Sequence, residues 1–106
     1  MNYISTRNNQ KNFTFKDVFL KGLADDGGLF VPKSIEPFKE EELDRLKNHS
    51  YNDLAAKIIY PFIGDFMSKD DLISMISKSY SNFRSDDVVK ISNLGNLKAV
   101  SYTHLT

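Results

Sequence analysis

Ser5-Thr6-Arg7 sets two hydroxyls beside a guanidinium. That grouping can hold an anion through charge-assisted hydrogen bonds, and it can equally finish a strand end. Asp25-Asp26-Gly27-Gly28 places two carboxylates before two glycines. Acidic pairs recur at Asp70-Asp71 and Asp86-Asp87. Neighbouring acids diverge on a strand and stand about 100° apart on a helix, so such pairs suit caps and turns better than a catalytic dyad. Gly27-Gly28 lacks the spacing of a phosphate-binding loop and reads as a turn in which both residues take positive φ. The chain has no cysteine, and His49 and His104 stand alone. Thiolate metal sites and disulfides are excluded, and nothing marks a nucleophilic triad.

The elements that must position these residues are legible from spacing. Asn2 to Ser5 reads as a short strand, and Arg7 to Asn12 as a polar loop. Thr14 and Asp17 form a weak capping box that opens a helix with Phe15, Val18, Phe19 and Leu23 on one face. Gly22 suggests close packing or an early end, and the helix must stop by Gly27-Gly28. Leu29-Phe30-Val31 is a short strand that Pro32 ends or places at an edge. Lys39 to Lys47 is a charged surface helix touching the rest through Leu43 and Leu46, its glutamates at the dipole's positive end. Ser50 and Ser68 repeat the cap pattern before two more helices. Pro61 and Gly64 mark the end of the first of these, and Phe83 closes the second. A strand over 86–91, a turn over 93–96 and a strand at Leu97–Val100 follow. The expected core is Phe15, Phe19, Leu54, Ile58, Ile59, Phe62, Leu72, Ile76 and Tyr80. The fold class is α+β, mostly helical, with short strands near both ends.

At 106 residues the chain fits one domain. Its 14 Lys and Arg balance 14 Asp and Glu, so a basic nucleic-acid surface has no support. No apolar run is long enough to span a membrane, and MNYISTRNNQ has no apolar signal region. A soluble cytoplasmic protein is the expectation.

Two stretches go further. Tyr3-Ile4-Ser5-Thr6-Arg7, followed by Gly22-Leu23-Ala24-Asp25-Asp26-Gly27-Gly28-Leu29-Phe30-Val31-Pro32, resembles the opening of the threonine synthases. Phe30 replaces the usual tyrosine, and Asn8 stands where many members have glycine. Tyr51, Leu54, Ala55, Pro61-Phe62-Ile63, Tyr80 and Phe83 also look like that family's helical N-terminal segment. The resemblance covers residues 1–98. It implies a fold-type II pyridoxal-phosphate enzyme, a carbon-oxygen lyase acting on phosphates. Such an enzyme converts O-phospho-L-homoserine and water to L-threonine and phosphate in threonine biosynthesis, with the cofactor held on a lysine as electron sink. The site residues it implies near the substrate are Ser5, Thr6, Arg7, Asp26, Gly27 and Gly28.

The resemblance fails at the end. Where the family continues into Glu-Leu-Phe-His-Gly-Pro-Thr and then its cofactor lysine, this chain reads Ala99-Val100-Ser101-Tyr102-Thr103-His104-Leu105-Thr106. Lys78, Lys90 and Lys98 do not occupy that motif, and the neighbours of His104 differ from the family's. The tail over 99–106 looks foreign. The expectation is therefore an N-terminal fragment, inactive alone, with no catalytic residue, no metal and no bound pyridoxal phosphate. Its partner would be the missing catalytic domain. The alternative is a free-standing interaction domain derived from the same family.

Overall fold

The computed structural model describes residues 1–83, 89 and 91–100. Three short strands form one antiparallel sheet, β1 (Tyr3–Ser5), β2 (Asn8–Phe13) and β3 (Phe30–Pro32), in the order β2-β1-β3. β1 sits in the middle: Tyr3 faces Pro32 and Ser5 faces Phe30, while on the other side Tyr3 faces Phe13 and Ser5 faces Asn8 across an irregular register. Thr6-Arg7 is the two-residue turn between β1 and β2. The loop expected over Arg7–Asn12 is thus a strand from Asn8 onward. An edge strand needs only backbone partners, so five exposed polar residues can form one without any apolar alternation to announce it. Pro32 lies on the other edge, where its missing N–H costs no ladder bond.

Four α-helices follow the cap signals. In α1 (Phe15–Lys21) the Thr14 hydroxyl accepts from the Asp17 N–H at 3.2 Å, and the Asp17 carboxylate accepts from the Thr14 N–H at 3.0 Å. Gly22, at φ 75°, ends it and donates to the Val18 carbonyl. α2 (Glu40–Leu46) has no side-chain cap at Lys39, but Glu42 accepts from the Lys39 N–H at 3.0 Å. Its Leu46 is buried and Leu43 is exposed. α3 (Tyr51–Ile63) and α4 (Lys69–Ser81) start on Ser50 and Ser68, whose hydroxyls accept from Asp53 and Asp71 N–H groups. α3 runs two residues past Pro61, because the proline falls in the last turn and the Gly64 N–H reaches over it to the Tyr60 carbonyl. Ser68→Ala should cost about 1 kcal/mol by orphaning a first-turn donor. A denaturant melt of the variant checks it, and an unchanged midpoint would show that the cap is idle.

The core is the seam between α3 and α4. Ala56, Ile63, Leu72 and Ile76 are buried there, flanked by Phe15, Ala55, Met67, Ile73 and Tyr80. Leu72 and Ile76 match expectation, while Phe15, Leu54, Phe62 and Tyr80 are half-buried. Phe19, Ile58 and Ile59 are exposed, not core. A helix offers a wide apolar stripe, and α4 covers only part of it. The Tyr3 hydroxyl donates to the Phe62 carbonyl at 2.7 Å and so ties the central strand to the end of α3. Its phenol is pushed up by burial.

β4 (Ile91–Leu94) and β5 (Leu97–Val100) form a separate hairpin, Ile91 opposite Val100 and Leu94 opposite Leu97. The turn is Gly95-Asn96 alone, with Gly95 at φ 62°, because Asn93 and Leu94 still pair with Lys98 and Leu97. The expected strand over 86–91 falls mostly outside the described residues, as do Asp86-Asp87 and tail positions 101–106; Ile91 opens β4.

Candidate functional site

Ser5, Thr6, Arg7, Asp26, Gly27 and Gly28 converge in one hydrogen-bonded lock between the β1–β2 turn and the turn that leads into β3. Ser5 ends the central strand and is buried, facing the second turn. Its hydroxyl donates to Asp26 Oδ1 at 2.7 Å and accepts from the Arg7 N–H at 3.1 Å. The same Asp26 oxygen accepts from the Gly28 N–H at 2.9 Å. Arg7 Nη1 donates to the Asp26 carbonyl at 3.0 Å. Thr6 bonds twice to Leu29: its N–H to the Leu29 carbonyl at 2.8 Å, and the Leu29 N–H to its hydroxyl at 3.0 Å. The Ala24 N–H to Gly28 carbonyl bond and the Gly27 N–H to Ala24 carbonyl bond close the turn.

Both glycines are required, for different reasons. Gly27 takes φ 76°, and a Cβ there would stand 2.9 Å from Arg7 Nη1. Gly28 does not take positive φ, which corrects the expectation of two left-handed glycines. It is needed because a Cβ would overlap Ser5 Oγ outright and stand 2.9 Å from Asp26 Oδ1 and 3.1 Å from Thr6 Oγ1. Asp25 points away and pairs with Lys21 across the helix end. A small cleft of ≈ 170 Å³ beside the lock is lined by Ser5, Asn8, Lys11, Phe13 and Asp25-Asp26. Spacing alone gave no sign of Lys11 and Phe13, which reach the cleft only because Asn8–Phe13 is a strand.

Hydrogen bonds from Ser5 and from the Gly28 N–H hold the Asp26 carboxyl below its ordinary value, with the Arg7 charge adding to them. Asp17 is lowered by its bond from Thr14, and Asp25 by Lys21. Such a carboxylate stabilises the folded chain above its ordinary value, 3.8. That contribution is lost as pH falls through the lowered one, because the unfolded chain takes up the proton first. Urea midpoints should therefore be flat near neutrality and fall below about pH 4. Asp26→Asn should flatten part of that acid limb; a variant with the parent's acid slope would remove Asp26 from the account.

The lock can do limited chemistry. Asp26 is a poor base, since it is held ionised, and among the described residues no histidine is bonded to Ser5. Among the described residues no group of acids and histidines could hold a metal. What remains is Arg7: its other guanidinium donors have no partner among the described residues, so they can take an anion.

A polar-edged three-stranded sheet whose two turns are locked together by Ser5-Thr6-Arg7 and Asp26-Gly27-Gly28, and which Tyr3 ties to the end of α3, has the architecture of a threonine synthase N-terminal domain. The family model described as threonine synthase N terminus matches residues 2–80, and the chain belongs to the threonine synthase family. It is 34% identical over 97 residues to the threonine synthase of Schizosaccharomyces pombe, covering 91% of this chain and 19% of that protein. With the threonine synthase of Pseudomonas aeruginosa it shares 35% over 94 residues, 89% of this chain and 20% of the other. The fold superposes on PLP-bound threonine synthase from Brucella melitensis at a TM-score of 0.87 and 32% identity, over 98% of this chain and 23% of that one. The chain thus spans about a fifth of the length of these curated relatives.

Proposed function

We propose that this chain acts as the N-terminal domain of a cytoplasmic, pyridoxal-phosphate-dependent threonine synthase, which turns O-phospho-L-homoserine and water into L-threonine and phosphate. The observation that carries the reading is the lock itself. It joins the two motifs on which the family resemblance rests into one rigid unit that presents Arg7. In this reading Ser5, Asp26, Gly27 and Gly28 position the turn, and Thr6 and Arg7 face the substrate side of the assembled enzyme. Arg7 has spare donors in a planar fork suited to phosphate or carboxylate.

The cofactor does not fit this portion. None of the described lysines is buried: Lys11 edges the ≈ 170 Å³ cleft beside the lock, and Lys16 edges an open surface hollow beside Asp65 and Phe66. The Schiff-base lysine is assigned to the larger part of the relatives. No helix among the described residues is long and apolar enough to cross a membrane, in keeping with a cytoplasmic enzyme. Nucleic acid plays no part in this reading.

The test is a graft of residues 1–98 in place of the matching first fifth of the S. pombe enzyme. Phosphate release from O-phosphohomoserine should be retained in the graft and absent in the 106-residue chain alone. Arg7→Ala in the graft should lower kcat/KM, and Arg7→Lys should recover little of it. Borohydride trapping of pyridoxal phosphate on one lysine of the isolated chain would sink the division of labour.

A further inference from the structure

We infer that the outer side of α1, with Leu29 and Phe66, is the face on which this domain docks against the catalytic body that follows it in the relatives. The inference rests on the reading above and names the surface that reading leaves open. Apolar exposure is high along residues 19–29: Phe19 is 64% exposed, Leu20 71%, Leu23 62% and Leu29 60%.

These side chains share a neighbourhood. Phe19 lies 5.8 Å from the half-open ring of Phe66, centroid to centroid, and both rings pack on Phe15. Leu20 lies in the last turn of α1, and Leu23 just past its Gly22 cap. The bond from the Ala24 N–H to the Gly28 carbonyl closes a turn whose flanking residues are Leu23 and Leu29. Leu29 in turn is bonded to Thr6, so the apolar face runs up to the lock and ends at Arg7. Exposed aromatic side chains and an arginine are residue types that protein interfaces favour. Isolated in water, a patch of this extent favours association. The β4–β5 hairpin is also exposed, but it splits its apolar pairs between two faces and so offers no single docking surface. The occupant is the remaining four-fifths of a threonine synthase, because the relatives carry that length beyond the part this chain matches.

The experiment is carbene footprinting of the full chain alone and of the graft. Labelling at Phe19, Leu20, Leu23 and Leu29 should fall severalfold in the graft. In the chain alone, a Leu20→Asn/Leu23→Asn variant should lose dye binding with its circular dichroism unchanged; in the graft it should split one melting transition into two. Labelling that is equal in both settings overturns the proposal. So does a chain that self-associates through this face while the graft stays unprotected, which would make a second copy the occupant. A graft that releases phosphate but leaves the face labelled sinks the docking surface and spares the activity. A graft that protects the face but releases none does the reverse.

Discussion

Gly28→Ala is expected to lower stability by roughly 1–3 kcal/mol or more, since a new methyl group must be forced into a filled site. The magnitude follows from what surrounds the position. The neighbours of the added Cβ are Ser5 Oγ, Asp26 Oδ1 and Thr6 Oγ1, all short side chains fixed by hydrogen bonds to backbone or to each other. None can swing away as a lysine end could. Relief requires opening the contact between the two turns, which breaks the Ser5–Asp26 and Asp26–Gly28 bonds together. A double-mutant cycle isolates this. Ser5→Ala removes the worst overlap, so Ser5→Ala/Gly28→Ala should cost clearly less than the two single changes added. Strict additivity in urea melts would show that the lock is looser than described. Gly27→Ala should also destabilise, but through its positive φ, and Ser5→Ala should not rescue it.

The difference between these glycines shows what a sequence discloses. Local rules read well: Thr14, Ser50 and Ser68 each cap a helix because the signal and its partner stand three residues apart. The six candidate site residues were legible as types, and they do converge. Their pairing was not, since Ser5 and Asp26 are separated by 21 positions and meet only when β1 and β3 align. Gly28 looked like a left-handed turn residue, yet its constraint comes from a hydroxyl across the sheet. Phe19, Ile58 and Ile59 looked like core because periodicity marks an apolar face without saying what covers it. Ala56 and Ile63 are missing from the expected core, though both are buried at the α3–α4 seam. The strand at Asn8–Phe13 was illegible because its partners are backbone groups.

Leu72→Ala is expected to cost roughly 2–5 kcal/mol, a large share of the 5–15 typical of a domain. Leu72 is 4% exposed and stands in the seam with Ala56, Ile63 and Ile76. The loss should not stay local. Ile63 packs in the same cluster, and the preceding residue, Phe62, offers its carbonyl to the Tyr3 hydroxyl. Tyr3 begins the strand that ends at Ser5. A loosened seam should therefore weaken the anchor of β1 and, through it, the lock. Hydrogen exchange gives the reading: in Leu72→Ala, the N–H groups of Thr6 and Gly28 should lose protection together with those of α3. Protection retained at Thr6 and Gly28 while α3 opens would mean that the sheet and the helical pair unfold separately. The lock would then hold its geometry without the core beneath it.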